Sequence, residues 1–239
     1  MKKVFFVLIS ILVVVACKKK EDDPIAVEPD PYAVLGAGVY DYDSNFYQTV
    51  KITGAGEWMA ENLKACHFSN GDTIPSGIKT ADIGGMPNPQ FFFYPNGDSS
   101  VNLKKYGRLY TYYVVEDGRN VCPTGYHVPT KNEWDTLTKY VGGQENGGGK
   151  LKSTSYWLSP NFGADNESLF NGLPAGYRAP DSIGTGKHFY ETTKSGIWWT
   201  STADTADRVW TYYLKFAYSN VFRTPSEKNF SYSVRCKKD

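Results

Sequence analysis

The second half of the chain is a succession of short runs rich in aromatic and β-branched residues, and this pattern limits the possible folds more than any other feature. Residues 197–202, 209–216, 221–223 and 230–236 all have the composition of strands. From 230 to 236, large or apolar residues alternate with small or polar ones, as in a strand with one buried face. Strands do not alternate with helices along the chain, which argues against a doubly wound parallel sheet. We therefore expect an α+β domain with short antiparallel strands and long loops.

Strands are also expected in the first half of the chain. Residues 46–52 predict a strand that ends in the glycine turn at 54–56. Residues 107–115 predict mainly strand, and a short helix remains the alternative because a short apolar run does not separate the two.

One helix is clearly indicated, at about residues 130–141. Thr130 is followed three residues later by Glu133, which is the spacing of a capping box. Trp134, Leu137 and Val141 then fall on one face at helical spacing, and two glycines follow at 142–143. The helix should therefore lie flat on the rest of the domain.

The N-terminus has the pattern of a bacterial lipoprotein signal. Two lysines precede an apolar stretch at 4–15, and Cys17 follows small residues as in a lipidation box. The stretch is shorter than the roughly 20 apolar residues that a transmembrane helix needs. We expect a signal peptide at 1–16, a lipid on Cys17 that holds the protein on a membrane, a charged flexible tether at 17–38 and a folded domain at 39–239.

Composition excludes one class of partner. Without Lys2 and Lys3, the mature chain keeps 24 basic and 25 acidic side chains, so its formal net charge is −1. Nucleic-acid binding needs a cationic excess, so no nucleic-acid partner is expected.

Known catalytic and metal-binding patterns are missing from the sequence. His67, His127 and His188 are scattered without metal-ligand spacing, and the hypothesis for His127 is a structural role in the turn before the helix. The glycines at 147–149 fail the phosphate-loop pattern and predict a flexible loop. Asp204 and Asp207 are more typical of a solvated loop than of a calcium site. No catalytic residue, metal or cofactor is therefore assigned.

Eight short motifs occur in an order that resembles the Fibrobacter succinogenes major paralogous domain, a family found in surface and secreted proteins of Bacteroidota and Fibrobacterota. They are WMAENLK at 58–64, YGRLY at 106–110, CPTGYHVPT at 122–130, EW at 133–134, GKLKST at 149–154, LPAGYR at 173–178, WWTST at 198–202 and SVRC at 233–236. The closing motifs also resemble C-type-lectin-like domains, including their formylglycine-generating-enzyme-like branch. The resemblance implies a C-type-lectin-like fold, with the two ends of the domain close together and a long loop region on one side.

Two further expectations come from the resemblance. Three cysteines follow Cys17, and an oxidising compartment lets two of them pair. Cys122 and Cys236 occupy family positions, which implies that they form the disulfide and that Cys66 is free or buried. The residues at 18–23, KKKEDD, resemble the signal that sends Bacteroidota lipoproteins to the outer face of the outer membrane.

The function expected from these observations is ligand binding at the cell surface. Rigid aromatic and adaptable polar residues mix near predicted turns in the C-terminal region, as they do in binding loops. Trp210, Tyr218, Asn220 and Arg223 are the candidates for a face that binds a glycan or a protein without catalysis. The alternatives are a formylglycine-generating-like envelope enzyme and a structural component of a surface layer or fimbria.

Overall fold

The computed structural model describes residues 32–79, 81–180 and 187–239. The chain divides into two units, Met1–Asp30 and Pro31–Asp239, of which the first lies outside the described residues. The predictions for the signal peptide and Cys17 therefore concern residues that the structure does not describe. Within the described part of the chain, no helix is long and apolar enough to cross a membrane.

The domain is a mixed fold with helices and many antiparallel strands. The helices are α1 (Ser99–Tyr106), α2 (Tyr112–Val115), α3 (Lys131–Tyr140) and α4 (Gly143–Leu151), and a 3-10 turn lies at Pro95–Gly97. The strands are β1 (Ala33–Leu35), β2 (Val39–Tyr40), β3 (Phe46–Tyr47), β4 (Thr49–Ile52), β5 (Gly56–Met59), β6 (Phe92–Phe93), β7 (Leu109–Thr111), β8 (Tyr126–His127), β9 (Tyr177–Arg178), β10 (Phe189–Tyr190), β11 (Ser195–Ala203), β12 (Arg208–Lys215), β13 (Phe222–Glu227), β14 (Ser231–Tyr232) and β15 (Lys237–Lys238).

The strands form several small antiparallel sheets. A five-stranded sheet has the order β1-β4-β5-β15-β8, so the first and last strands of the domain belong to one sheet. A second sheet has the order β10-β9-β14-β7-β6, and the pair β2-β3 forms a hairpin. The sheet β11-β12-β13 contains the longest strands, and Trp210 faces Pro225 in its register.

The predicted helix is confirmed as α3. The Thr130 hydroxyl accepts the Glu133 amide at 3.2 Å, and a Glu133 carboxylate oxygen accepts the Thr130 amide at 2.8 Å, which completes the capping box. Trp134, Leu137 and Val141 are all buried. The helix thus packs along its apolar face, as the spacing predicted.

The expectation of a single well-defined helix was wrong, because α1, α2 and α4 are also present. Residues 107–115 are divided between strand β7 and helix α2. The predicted strand at 46–52 is interrupted into β3 and β4, and the predicted tether contains β1, which pairs with β4. The ordered domain therefore begins before Val39.

The glycines at 147–149 belong to helix α4 and not to a flexible loop. A Cβ on Gly148 would lie 2.3 Å from the Asn220 carbonyl oxygen, and one on Gly149 would lie 2.1 Å from the Gly163 carbonyl oxygen. Real Cβ atoms do not approach backbone oxygens so closely. Because glycine has no Cβ, the helix can pack closely against two loops at these positions. This packing stabilises the helix despite the low helix propensity of glycine.

The disulfide implied by the resemblance is present. Cys122 and Cys236 are bonded with their Cα atoms 5.9 Å apart, and they lie in a buried apolar cluster. Cys66 is a free, partly exposed cysteine. The bond links residues 114 positions apart and so ties the loop before β8 to the C-terminal strand.

Candidate ligand-binding surface

The sheet β11-β12-β13 separates two environments, because successive residues of a strand point to opposite faces. On one face Tyr212 stacks on Trp134 of α3, with ring centroids 5.1 Å apart. On the other face Tyr213 stacks on Phe222 at 5.0 Å, and both rings are only partly buried. The first face is therefore packed core, whereas the second is buried at Trp199 and Val209 and keeps aromatic surface accessible near Tyr213 and Phe222.

An open groove of about 230 Å³ lies on the accessible face, and we call it the aromatic groove. Tyr177 stacks on Tyr190 at 5.4 Å and contacts Phe230 at 6.2 Å and Tyr232 at 6.0 Å. Sequentially distant segments thus bring these rings together. The lining residues are Tyr177, Glu191, Ile197, Thr211, Tyr213, Lys215, Thr224, Phe230 and Tyr232.

Polar groups are placed between the rings of the aromatic groove. Glu191 and Lys215 supply one charge of each sign. Burial, followed by the charge of Glu191, raises the pKa of the Tyr177 and Tyr213 hydroxyls, so both remain protonated at neutral pH. A protonated phenol both donates and accepts hydrogen bonds. The groove therefore offers apolar ring faces together with hydrogen-bonding groups and no net charge.

The candidate residues from the sequence lie on both sides of the sheet. Arg223 forms an ion pair with Asp135 of α3, and Lys131 also binds Asp135 at 2.7 Å. The Lys131 ammonium lies 5.4 Å from the centre of the Trp210 ring. Trp210 and Arg223 therefore border the same side of α3, opposite the aromatic groove.

Tyr218 and Asn220 occupy different surroundings. Tyr218 is 52% exposed and contacts Phe222 edge-on at 5.7 Å, so it adjoins the wall of the aromatic groove. Asn220 lies in the loop whose backbone presses against Gly148 of α4. The structure thus does not bring the four candidates together as one face.

The aromatic groove was missed at the level of sequence. The candidates predicted from the sequence do not include Tyr177, Tyr213 or Phe230. Phe230 and Tyr232 share a side of the last alternating run, but more than fifty positions separate them from Tyr177. A local sequence pattern cannot predict the contact of Tyr177 with Phe230 and Tyr232 across that separation.

His127 has the structural surroundings proposed for it. Its Nδ1 atom lies 2.7 Å from an Asp239 carboxylate oxygen, and its Nε2 atom lies 3.0 Å from Glu133. Burial alone would raise the pKa of Glu133, but hydrogen bonds from the Thr130 amide, His127 and Lys237 outweigh it and lower this pKa to about 2. The histidine thereby joins the C-terminus of the domain to the start of α3.

His67 belongs to a cluster that the scattered histidines did not predict. Its Nδ1 atom is in hydrogen-bond contact with Asp43, and the Cys66 sulfur lies 3.6 Å from the same nitrogen. Burial, followed by the hydrogen bond to Asp43, raises the pKa of the Cys66 thiol. A thiol of this kind is not an activated nucleophile.

A match over most of the domain shows the family of the chain. The family model described as the Fibrobacter succinogenes major domain matches residues 50–238. The chain belongs to this family. Comparisons with curated proteins and with solved structures give no match.

The motifs that identify the Fibrobacter succinogenes major domain largely form its interior. Arg235 is fully buried, and its guanidinium donates to Asn62 Oδ1 at 2.7 Å and to the carbonyl oxygens of Met59, Phe170 and Asn171. Trp198 donates to the same Asn62 oxygen at 2.9 Å. We call these three side chains, Asn62, Trp198 and Arg235, the buried polar network.

The aromatic groove draws little on those motifs. Of its lining residues, only Tyr177 lies within one of the eight motifs, and the others fall between them. Family membership therefore accounts for the fold of this domain, whereas it does not determine the chemistry of the groove.

Proposed function

We propose that this Fibrobacter succinogenes major domain is a glycan-binding module that takes one end or branch of a neutral glycan into the aromatic groove. The observation that carries the proposal is the set of partly exposed rings of Tyr177, Tyr213 and Phe230 around one open groove. A pyranose ring has an apolar C–H face that packs on the electron-rich face of an aromatic ring, and its hydroxyls need donors and acceptors at the edge. Glu191, Lys215 and the tyrosine hydroxyls supply them.

Size and charge favour a glycan over a protein as the ligand. Stable protein interfaces bury about 1,200–2,000 Å² in total, whereas this groove of about 230 Å³ suits a small ring inserted into a concave site. The balanced pair Glu191 and Lys215 fits a neutral polar ligand better than a charged one. A larger cleft of about 380 Å³ lies elsewhere, but Tyr156 is the only aromatic residue in its lining.

The proposed setting is the outer face of the outer membrane. A lipid on Cys17 would hold the domain where glycans of the surroundings pass, and the charged segment after it would act as a spacer. We further infer that the architecture is C-type-lectin-like. The presence of β1 and β15 in one sheet, separated by β4 and β5, supports this, because that architecture keeps the ends of the domain close together.

Binding without catalysis is favoured over the formylglycine-generating-like alternative by the state of the cysteines. That activity works through reactive thiols, whereas Cys122 and Cys236 are joined to each other within the core and leave Cys66 as a single free cysteine in the described part of the chain. The aromatic groove itself contains no cysteine or histidine. Nothing specific among the described residues favours a role in a surface layer or fimbria.

Glycan-array binding of the purified protein tests the groove. We expect Tyr177→Ala and Phe230→Ala each to weaken binding about fivefold or more, since one aromatic contact is worth on the order of 1 kcal/mol. Trp210→Ala and Arg223→Ala are the matched controls on the opposite side of the sheet, and they should retain wild-type binding. Loss of binding in the controls with retention in the groove variants would move the site to the α3 side.

The membrane setting has its own test. Radiolabelled palmitate should be incorporated into the wild-type chain and not into Cys17→Ala, and protease added to intact cells should degrade the anchored domain. An unlabelled wild-type chain would overturn the lipid anchor, and complete protection from protease would overturn the outward orientation.

A further inference from the structure

Asp43, Cys66 and His67 come together although they belong to separate segments. Asp43 lies in the turn between β2 and β3, and Cys66 and His67 follow the WMAENLK motif. One Asp43 oxygen, Oδ2, accepts the backbone amides of Cys66 at 2.6 Å and His67 at 3.2 Å. The carboxylate is thereby fixed, and its second oxygen faces the two side chains.

The three potential ligand atoms are close to one another. Cys66 Sγ lies 3.4 Å from Asp43 Oδ1 and 3.6 Å from His67 Nδ1, and all three atoms fall within 4.8 Å. Bonds of about 2.0–2.3 Å in a tetrahedral zinc site place neighbouring ligand atoms about 3.3–3.7 Å apart. The two distances to sulfur already fit this range, and only the hydrogen-bonded Asp43 and His67 atoms have to separate.

The cluster is accessible from one side. The side chains of His67 and Asp43 are 29% and 15% exposed, and Cys66 is also partly exposed. The Tyr42 ring packs against His67 with centroids 5.6 Å apart and so supports the imidazole. An ion could enter without unfolding the domain, and water or another ligand could occupy the exposed side.

We propose that Asp43 Oδ1, Cys66 Sγ and His67 Nδ1 form a three-ligand site for a single transition metal ion of the Zn²⁺ class. Sulfur and imidazole ligands select zinc and its neighbours over Ca²⁺ and Mg²⁺, which prefer oxygen ligands alone. With Zn²⁺ bound, the thiolate and the carboxylate neutralise the two charges of the ion. The fourth position is open to solvent, as in zinc sites that bind water or an external ligand.

One cation lies beside the cluster. Arg108 interacts with Cys66, binds the Lys64 carbonyl oxygen and lies over the Phe92 ring at 4.3 Å. Its positive charge acts against a bound ion, and the thiolate and the carboxylate have to outweigh it. The proposed metal site shares no residue with the aromatic groove. The proposal of a metal site is therefore independent of the proposal of glycan binding.

Titration of the purified protein with Co²⁺ tests the site, because cobalt reports both sulfur ligation and tetrahedral geometry. We expect one equivalent to produce a thiolate-to-metal charge-transfer band and visible ligand-field bands, and one equivalent of Zn²⁺ to abolish both. Cys122 and Cys236 are joined in the disulfide, so with Cys17 alkylated by its lipid or replaced by serine the charge-transfer band reports Cys66.

The variants distinguish binding by the three proposed ligands from nonspecific metal binding elsewhere on the protein. Cys66→Ser should lose the charge-transfer band, and His67→Gln and Asp43→Asn should weaken Zn²⁺ binding at least about tenfold in calorimetry, a typical loss for a perturbed metal site. Asp72→Asn and His127→Gln are matched controls outside the cluster and should bind as the wild type does. A wild-type protein without the charge-transfer band, or Cys66→Ser with unchanged Zn²⁺ affinity, would overturn the proposal. The wild-type titration decides the question even if a variant fails to fold.

Discussion

The buried polar network and the aromatic groove both combine aromatic with polar side chains, but the network is buried and the groove is partly exposed. In the network, the polar atoms of Asn62, Trp198 and Arg235 bond to one another, to backbone carbonyls or to the Ser233 hydroxyl, and all three side chains are buried. In the groove, Tyr177 and Phe230 are only partly buried. An interior that satisfies its own polar atoms stabilises a fold, whereas partly exposed rings leave contacts for a ligand. The motifs that identify the family lie mainly in the interior of the domain, as the buried polar network does. This explains why the motifs indicate the fold more than the activity.

The two regions meet within single strands. Tyr212 and Tyr213 are adjacent in β12, yet one stacks on Trp134 in the core and the other on Phe222 beside the groove. Because successive side chains of a strand point to opposite faces of the sheet, two adjacent residues can serve the core and the groove. Substitutions in the two regions should therefore separate stability from binding.

The largest effect is expected from Arg235→Met in the buried polar network. The substitution keeps much of the side-chain volume but leaves the carbonyl oxygens of Met59, Phe170 and Asn171 without their donor. Unsatisfied buried groups cost about 1–3 kcal/mol each, so we expect a loss of about 3 kcal/mol or more in the free energy of unfolding. Urea denaturation measures the loss.

Two controls sharpen this comparison. Arg208 is exposed and bonds a single carbonyl oxygen, that of Pro225, at 2.9 Å, so Arg208→Met should cost less than about 1 kcal/mol. Phe230→Ala in the aromatic groove should cost about 1–2 kcal/mol because its ring is only partly buried. Equal losses for Arg235→Met and Arg208→Met would contradict the structural role of the network.

Local rules accounted for the parts of the fold that local sequence controls. The capping box at Thr130 and Glu133 located α3, and aromatic and β-branched composition located β11 and β12. The strand predicted from alternation at 230–236 was largely wrong, because only Ser231–Tyr232 of that run is strand. The same rules failed at Gly147, Gly148 and Gly149, because the helix there depends on the close approach of distant loops. Sequence spacing gives no signal for the cluster of Asp43, Cys66 and His67 for the same reason, since Asp43 lies more than twenty positions before Cys66.

The candidate site shows this limit most directly. Aromatic richness near the C-terminus predicted a recognition surface, but Trp210 and Arg223 lie beside α3, whereas Tyr177 and Phe230 form the aromatic groove. Which rings share one side depends on the pairing of β9 with β14, a tertiary contact between distant segments. A resemblance to a family supplies the order of motifs and not that placement.

A smaller, pH-dependent effect is expected at the start of α3, where core and solvent meet. The pKa of Glu133 is lowered to about 2 in the folded chain, against an ordinary value of 4.5. A carboxyl group with a depressed folded pKa stabilises the fold above its unfolded pKa, and this stabilisation disappears as the pH falls from about 4.5 to 2. For this partly exposed side chain we expect about 2 kcal/mol, after allowance for solvent screening.

Glu133→Gln tests this effect against the wild type by urea denaturation at several pH values. The variant should be less stable by about 2 kcal/mol at pH 7, and the two proteins should converge towards pH 2, because the wild-type carboxyl is then protonated as well. Taking the difference between the two proteins cancels the other acidic groups that titrate in the same range. A difference that stays constant from pH 7 to pH 2 would show that His127 and Lys237 stabilise the helix start through packing and not through the charge of Glu133. In that case the start of α3 would be stabilised like the buried polar network, by contacts that do not depend on pH, although the Glu133 side chain is partly exposed.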